Sequence, residues 1–289
     1  MTAAPLRATA LRIALALAAP ILLAVAACSG EKGGAQAKTA QSGGTVDEES
    51  RGDVVIAAPK GRYLGGAVAS AGTVSGTVSL KTPLNPLAKG LEPLPPMPAG
   101  RDSALCGKVI PDSSLQQKGT AGGLGNVVVW LEGLRQGKAI PLEKRIELES
   151  DHCLLTPRVQ ATVVGSAVNV IGHDDFRQHL RFIAAGEPQA RAAILLGSNE
   201  QVIPSNLPAT APALVIVKDA DHAWPRAYIA VFDHPYYAVT KPDGSFSIDG
   251  VPPGKYTLVA WHERTGKSEQ TVEVAANGAA KVSVALEGK

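Results

Sequence analysis

From residue 73 onward the chain alternates apolar and polar residues over short runs, the period that turns one face of a β-strand toward a core and the other toward solvent. Residues 73–80 (TVSGTVSL) and 145–149 (RIELE) show it most plainly, and 158–164 and 167–171 repeat it around a turn at Gly165 and Ser166. Residues 126–132 (NVVVWLE) hold an unbroken apolar run at 127–131, led in by Gly122, Gly123 and Gly125, the pattern of a buried strand. Short apolar runs follow at 202–203, 214–217 and 228–232. Strands thus recur at intervals of roughly 10–20 residues, and no long run of period 3.6 interrupts them. The expectation is an all-β sandwich or barrel.

The last fifty or so residues carry a tighter rhythm. Pro242, Asp243 and Gly244 predict a hairpin turn ahead of the strand SFSI at 245–248. VPPG at 251–254 predicts a second turn, because proline presets φ and glycine accepts positive values. Residues 255–261 then alternate, with Tyr256, Leu258 and Ala260 on one face. Two further strands, 270–274 and 280–286, flank Asn277 and Gly278. By contrast, 84–98 is proline-rich and predicts a loop or an edge crossing.

The N-terminus has a different character. Arg7 and Arg12 precede an apolar run over 13–27 that ends in small residues before Cys28, the architecture of a secretory signal. The run is short for a bilayer span. The sequence VAAC at 25–28 resembles a bacterial lipobox, which implies cleavage after 27 and acylation of Cys28. Residues 28–70 are rich in Gly, Ala, Ser, Lys, Gln and Thr, and predict a flexible tether with a short strand at 54–56. The lipobox resemblance implies a lipoprotein of the bacterial cell envelope, facing the periplasm; the alternative is an ordinary signal peptide with a nearby cysteine. Ser29 after the acylated cysteine favours the outer membrane over the inner.

Removal of 1–27 takes away two arginines and leaves 26 basic against 26 acidic residues. That balance gives no electrostatic ground for a nucleic-acid partner. Of the three cysteines, Cys106 and Cys153 remain after lipidation of Cys28. In an oxidising compartment they most simply form a disulfide, the alternative being free or metal-binding thiols.

Two family resemblances follow from these motifs. DGSFSIDGVPPGKYTLVAWHE at 243–263 is similar to the carboxypeptidase regulatory-like, transthyretin-like β-sandwich, sometimes classed as a carbohydrate-binding-like fold. GTVSGTV, the Cys106–Gly107 pair, GGLGNVVVWL, HCLLTPRV and DDFRQH, together with residues 217–228, resemble the plastocyanin-like (cupredoxin) domain of methylamine-utilisation-type proteins. The implied organisation is a signal peptide (1–27), a tether (28–70), a cupredoxin-like sandwich (71–235) and a regulatory-like sandwich (236–289).

In the cupredoxin family two imidazoles, a thiolate and a thioether hold type-1 copper. The resemblance puts His179 at the first histidine position, with Asp175 four residues before it, and His222 at the second. Asp219 falls where the cysteine would be and Pro225 where the methionine would be. The expectation is therefore a non-enzymatic scaffold or interaction module without type-1 copper and without a resident cofactor. The alternatives are a colourless Cu2+ or Zn2+ site of His179, His222 and Asp219, and a carbohydrate-binding role for the last module. The partners implied are the membrane, through Cys28, and an envelope protein or glycan. Asp233–His234 and His262–Glu263 are adjacent carboxylate–imidazole pairs, but neighbours in a strand face opposite sides, which argues for structural roles.

Overall fold

The computed structural model describes residues 54, 56, 61–81, 96–116, 122–142, 144–204 and 211–287. All of them lie in one unit, Val46–Lys289. The expected signal peptide, the lipidation site Cys28 and most of the expected tether lie outside the described residues.

Strands dominate the described chain. The first group is β1 (Leu64–Gly66), β2 (Gly72–Leu80), β3 (Met97–Pro98), β4 (Val109–Ile110), β5 (Val128–Glu132) and β6 (Gln136–Lys138). Next come β7 (Arg145–Asp151), β8 (Leu154–Thr156), β9 (Val159–Val163), β10 (Ala167–Gly172), β11 (Gln178–Ala184), β12 (Ala190–Leu196) and β13 (Gln201–Val202). The last are β14 (Ala213–Asp219), β15 (Arg226–Phe232), β16 (Tyr237–Val239), β17 (Ser245–Val251), β18 (Gly254–His262), β19 (Gly266–Val274) and β20 (Ala279–Leu286). A single helical turn, α1 (Ser103–Cys106), follows a 3-10 turn at Gly100–Asp102.

The strands build two sandwiches. In the first, the sheet ordered β13-β10-β7-β8 faces the sheet ordered β12-β11-β14-β15-β9. Leu148, Val168 and Val170 of one sheet pack on Leu180, Phe182, Val215, Val217, Ile229 and Val231 of the other. In the second, β16-β5-β18-β19 faces β17-β2-β20. There Val129, Leu131, Leu258 and Val272 pack on Val74, Val78, Ile248 and Val284.

The outer faces of two of these sheets then meet, giving four layers. Val128, Trp130, Val259 and Trp261 lie against Leu214, Tyr228, Ala230 and Phe232 in a common apolar seam. Alternation explains the unbroken apolar run at 127–131. Val129 and Leu131 face the second core while Val128 and Trp130 face the seam, so both sides of the strand leave water. Val54 and Ile56 also pack into this seam, outside any strand.

Strand pairing cuts across the organisation expected from the sequence. Strand β2 was placed in the first sandwich, but it pairs with β17 and, in parallel, with β20 over Thr73–Leu80. Strand β5 pairs with β16 and β18. The second sandwich therefore takes two strands from the region 71–235, and the line at 235/236 does not separate the sandwiches. The reason is burial. The 236–289 strands alone leave β17 and β20 without the strand that joins them, whereas β2 inserted between them buries Val74 and Val78 completely. Gly76 permits the close approach, since a Cβ there would lie 2.0 Å from the carbonyl oxygen of Val282.

Candidate functional site

One end of the first sandwich gathers most of its chemistry. The ends of β7, β10 and β14 and the starts of β8, β11 and β15 meet there, joined by the turn at 152–153, the loop at 173–177 and the turn at 220–225. A cover closes this mouth. It consists of residues 96–110, in which β3 and β4 pair as a short hairpin around the 3-10 turn and α1.

Three interactions hold the cover. Cys106 of α1 is disulfide-bonded to Cys153, with Cα atoms 5.6 Å apart. Ala99 and Ile110 pack with Cys153 and Trp224, with Phe176 and Leu154 against the same cluster. Asp102 Oδ2 lies 2.7 Å from Nε2 of His222. The turn that carries Cys153 is tight: His152 and Cys153 both take positive φ, 49° and 64°, between the paired residues Asp151 and Leu154. The Asp174 carboxylate supports it, accepting from Cys153 N at 3.0 Å and from Ser150 Oγ at 2.8 Å.

Asp219 and His222 come together under the cover. Asp219 stands opposite Leu180 across the β11–β14 ladder, and directly opposed residues share a face, so its side chain points inward with the core. Its side chain is 0% exposed and that of His222 is 5% exposed. Oδ1 of Asp219 accepts from Asp221 N at 2.7 Å and from His222 N at 3.3 Å, which fixes the turn. Oδ2 lies 3.4 Å from His222 Nδ1. The imidazole is flanked by the Trp224 ring at 4.7 Å and by the edge of Phe176 at 5.3 Å.

His179 is not part of this group. It immediately precedes Leu180 and therefore faces the opposite side of the sheet. Its side chain is 49% exposed and its Nδ1 lies 2.8 Å from Asp221 Oδ2. The trio His179, His222 and Asp219 is thus corrected to a pair, with His179 turned away. Sequence spacing named the residues but not the register that decides the face. Among the described residues, no three His, Cys, Asp or Glu side chains are grouped as metal ligands. Asp102, which the sequence reading did not single out, completes the contacts of His222. It lies 120 residues away in the chain, and nothing local marks it.

The other carboxylate–imidazole pairs serve the architecture. Glu263 forms a two-pronged contact with Arg158, at 2.5 and 2.7 Å, that ties the second sandwich to the first beside Ser113. His262 Nε2 donates to the Ser114 carbonyl at 3.0 Å while Nδ1 accepts from Arg264 N at 3.2 Å. Burial pushes His262 down to about 4, and does the same to His234. His234 Nδ1 accepts from Tyr236 N at 3.2 Å. Each ring is held neutral by its surroundings.

Comparison with known proteins bears on the C-terminal half. Residues 214–287 match the model of the carboxypeptidase regulatory-like domain. The match starts within β14, well before residue 236, and so spans strands of both sandwiches. No curated protein matches the chain. Among solved structures, a copper-containing nitrite reductase from Thermus scotoductus SA-01 is similar at 19% identity and a TM-score of 0.27. The likeness covers 33% of this chain and 23% of that one. The chain carries a carboxypeptidase regulatory-like domain in its C-terminal part, within an all-β architecture of stacked sandwiches.

Proposed function

We propose that this protein is a non-enzymatic lipoprotein of the bacterial cell envelope, anchored through Cys28, in which a cupredoxin-like sandwich serves as a scaffold or interaction module and builds no type-1 copper site. The observation that carries the reading is the bond between Cys106 and Cys153. A type-1 site requires a cysteine thiolate, and both cysteines beyond Cys28 are committed to each other. Asp219 and Pro225 stand where the thiolate and thioether are expected, so the donor set does not fit that copper centre. Met97, the only methionine besides Met1, belongs to the cover and is 37% exposed.

An interaction role is supported by the outer side of the cover. Leu105 and Val109 are 54% and 53% exposed on a segment tied to the mouth by the disulfide and the Ala99 and Ile110 contacts. Exposed apolar side chains on a disulfide-tied element are one means of meeting a partner.

Copper reconstitution tests the central claim. The untagged full chain in mild detergent, loaded with Cu2+, is expected to remain without an intense thiolate-to-copper band in the visible range. Appearance of that band at one copper per chain overturns the reading. Palmitate labelling that persists in Cys28→Ser overturns the lipid anchor.

A further inference from the structure

The outer face of the five-stranded sheet has two parts. Along β15, Tyr228, Ala230 and Phe232 lie in the apolar seam, and Leu214 of β14 lies there with Ile216 packed against it. Arg226 stands two residues before Tyr228 and Lys218 two residues after Ile216, so both point to this same face. Lys218 is opposite Arg226 on one side and opposite Arg181 of β11 on the other. A row of three cations thus crosses three adjacent strands, spaced about 4.8 Å apart, where the seam ends. Arg181 is exposed, and Lys218 and Arg226 are half-buried.

Like charges directly opposed across a sheet repel one another. The carboxylates around this face are committed elsewhere: Glu263 to Arg158, Asp221 to His179 and Glu187 to Arg191. Arg226 hydrogen-bonds to the Tyr228 side chain, which carries no charge at neutral pH. Among the described residues, no carboxylate pairs with Arg181 or Arg226. An occupant bearing several negative charges relieves the repulsion along the row.

The chain itself supplies such a segment beside the row. Val54 and Ile56 are seated in the seam, and Ile56 lines a small cavity together with Phe232 and Asp233. Immediately upstream, residues 47–53 (DEESRGD) carry Asp47, Glu48, Glu49 and Asp53 against Arg51 alone. The reach is sufficient. From Phe232 back to Arg226 the strand spans about 20 Å, and from Ile56 back to Glu49 an extended chain spans about 23 Å. The compact unit that holds both sandwiches also begins at Val46, ahead of these acids, rather than at Val54. We propose that the acidic segment 47–53 docks on the row of Arg181, Lys218 and Arg226, as an ionic strap that carries the chain across the outer face and into the seam. The tether expected from the sequence then ends at Val46, and the basic row is closed to other anions.

Digestion of the untagged full chain in mild detergent with an arginine-specific protease tests the contact, read by mass spectrometry as the rate of cleavage after Arg51. Cleavage after Arg101, whose side chain is 76% exposed on the cover, is the internal control, and circular dichroism is the control for folding. In the wild type, cleavage after Arg51 is expected to be slow at low salt and to quicken as salt screens the contact. Arg181→Glu and the double variant Arg181→Glu/Lys218→Glu are expected to quicken it at low salt, the double variant by about fivefold to tenfold, the range for a few surface ion pairs. Both leave the sequence read by the protease intact, and the rate at Arg101 is expected to stay unchanged. Reversing the segment with Asp47→Lys/Glu48→Lys/Glu49→Lys is expected to release Arg51 in the same way, and adding Arg181→Glu/Lys218→Glu to it is expected to restore protection. If the double variant fails to fold, Arg181→Glu decides alone, since that side chain is exposed. Cleavage after Arg51 as fast in the wild type as in a synthetic peptide of residues 46–56, a rate unmoved by the Arg181 variants, or no rescue by the combined reversal would each overturn the proposal. Protection that appears only when phosphatidylglycerol vesicles are added would overturn it too, and would assign the row to a lipid surface.

Discussion

At the scale of single residues, burial decides what the titratable groups do. His234 and His262 sit at about 4, well below 6.5, because desolvation disfavours their charged forms. Above pH 6.5 the folded and unfolded chains are both neutral at these rings, and the full stability is present. As the pH falls from 6.5 toward 4 the unfolded chain takes up protons that the folded one refuses, so stability is lost. The slope is about 1.4 kcal/mol per pH unit for each histidine. Urea unfolding midpoints at pH 7 and pH 5.5 are expected to separate accordingly, and His262→Gln is expected to shrink the gap. An unchanged gap in that variant would show that another group sets the acid sensitivity. Adjacency in sequence had already argued against joint chemistry for Asp233–His234 and His262–Glu263. The partners actually used, Ser114 and Arg158, lie more than a hundred residues from His262 and Glu263 and could not be read from the motif.

At the scale of elements, alternation located most strands but not their neighbours. The run at 127–131 was legible because both of its faces are buried, leaving no polar position to blur it. Strands β11 and β12 were not anticipated. Within β11, residues 178–184 (QHLRFIA), the inward positions alternate with His179 and Arg181, and a polar start next to a loop of Asp174 and Asp175 obscured the pattern. The cover was expected only as a proline-rich crossing near 84–98, and its short helix has too few residues for a periodic signal. Its attachment can be measured. The disulfide closes a sequence separation of 47, for which chain entropy gives a stabilisation of about 4 kcal/mol. The double variant Cys106→Ala/Cys153→Ala is therefore expected to unfold at a clearly lower denaturant concentration. An unmoved midpoint would mean that Asp102 and the Ile110–Trp224 contact hold the cover without it.

At the scale of the whole molecule, the two sandwiches share strands and a seam. Trp130, Phe232 and Trp261 fill that seam, and fully burying a large apolar side chain contributes about 1.5–3 kcal/mol. The Arg158–Glu263 pair locks its edge, with side chains 12% and 5% exposed. Because β2 and β5 complete the second sandwich, the segment 236–289 expressed alone is expected to stay unfolded, with collapsed amide dispersion in its NMR spectrum. A well-dispersed spectrum from that segment would show that its own strands suffice. The same segment with β2 and β5 supplied in trans is the informative comparison.

The sequence by itself determined the class of the fold, the places of most strands, the turn at Asp243–Gly244 and the neighbourhood of Asp219 and His222. These follow from local rules: the two-residue period of a strand, the positive φ that Gly244 accepts at 81°, and the short reach of a turn. Only the tertiary structure decided which sandwich β2 and β5 enter, that His179 faces away, and that Asp102 closes on His222. The physical reason is common to all three. Strand register and long-range pairing are chosen by the total area removed from water across the assembled sheets, and no local stretch of chain carries that quantity.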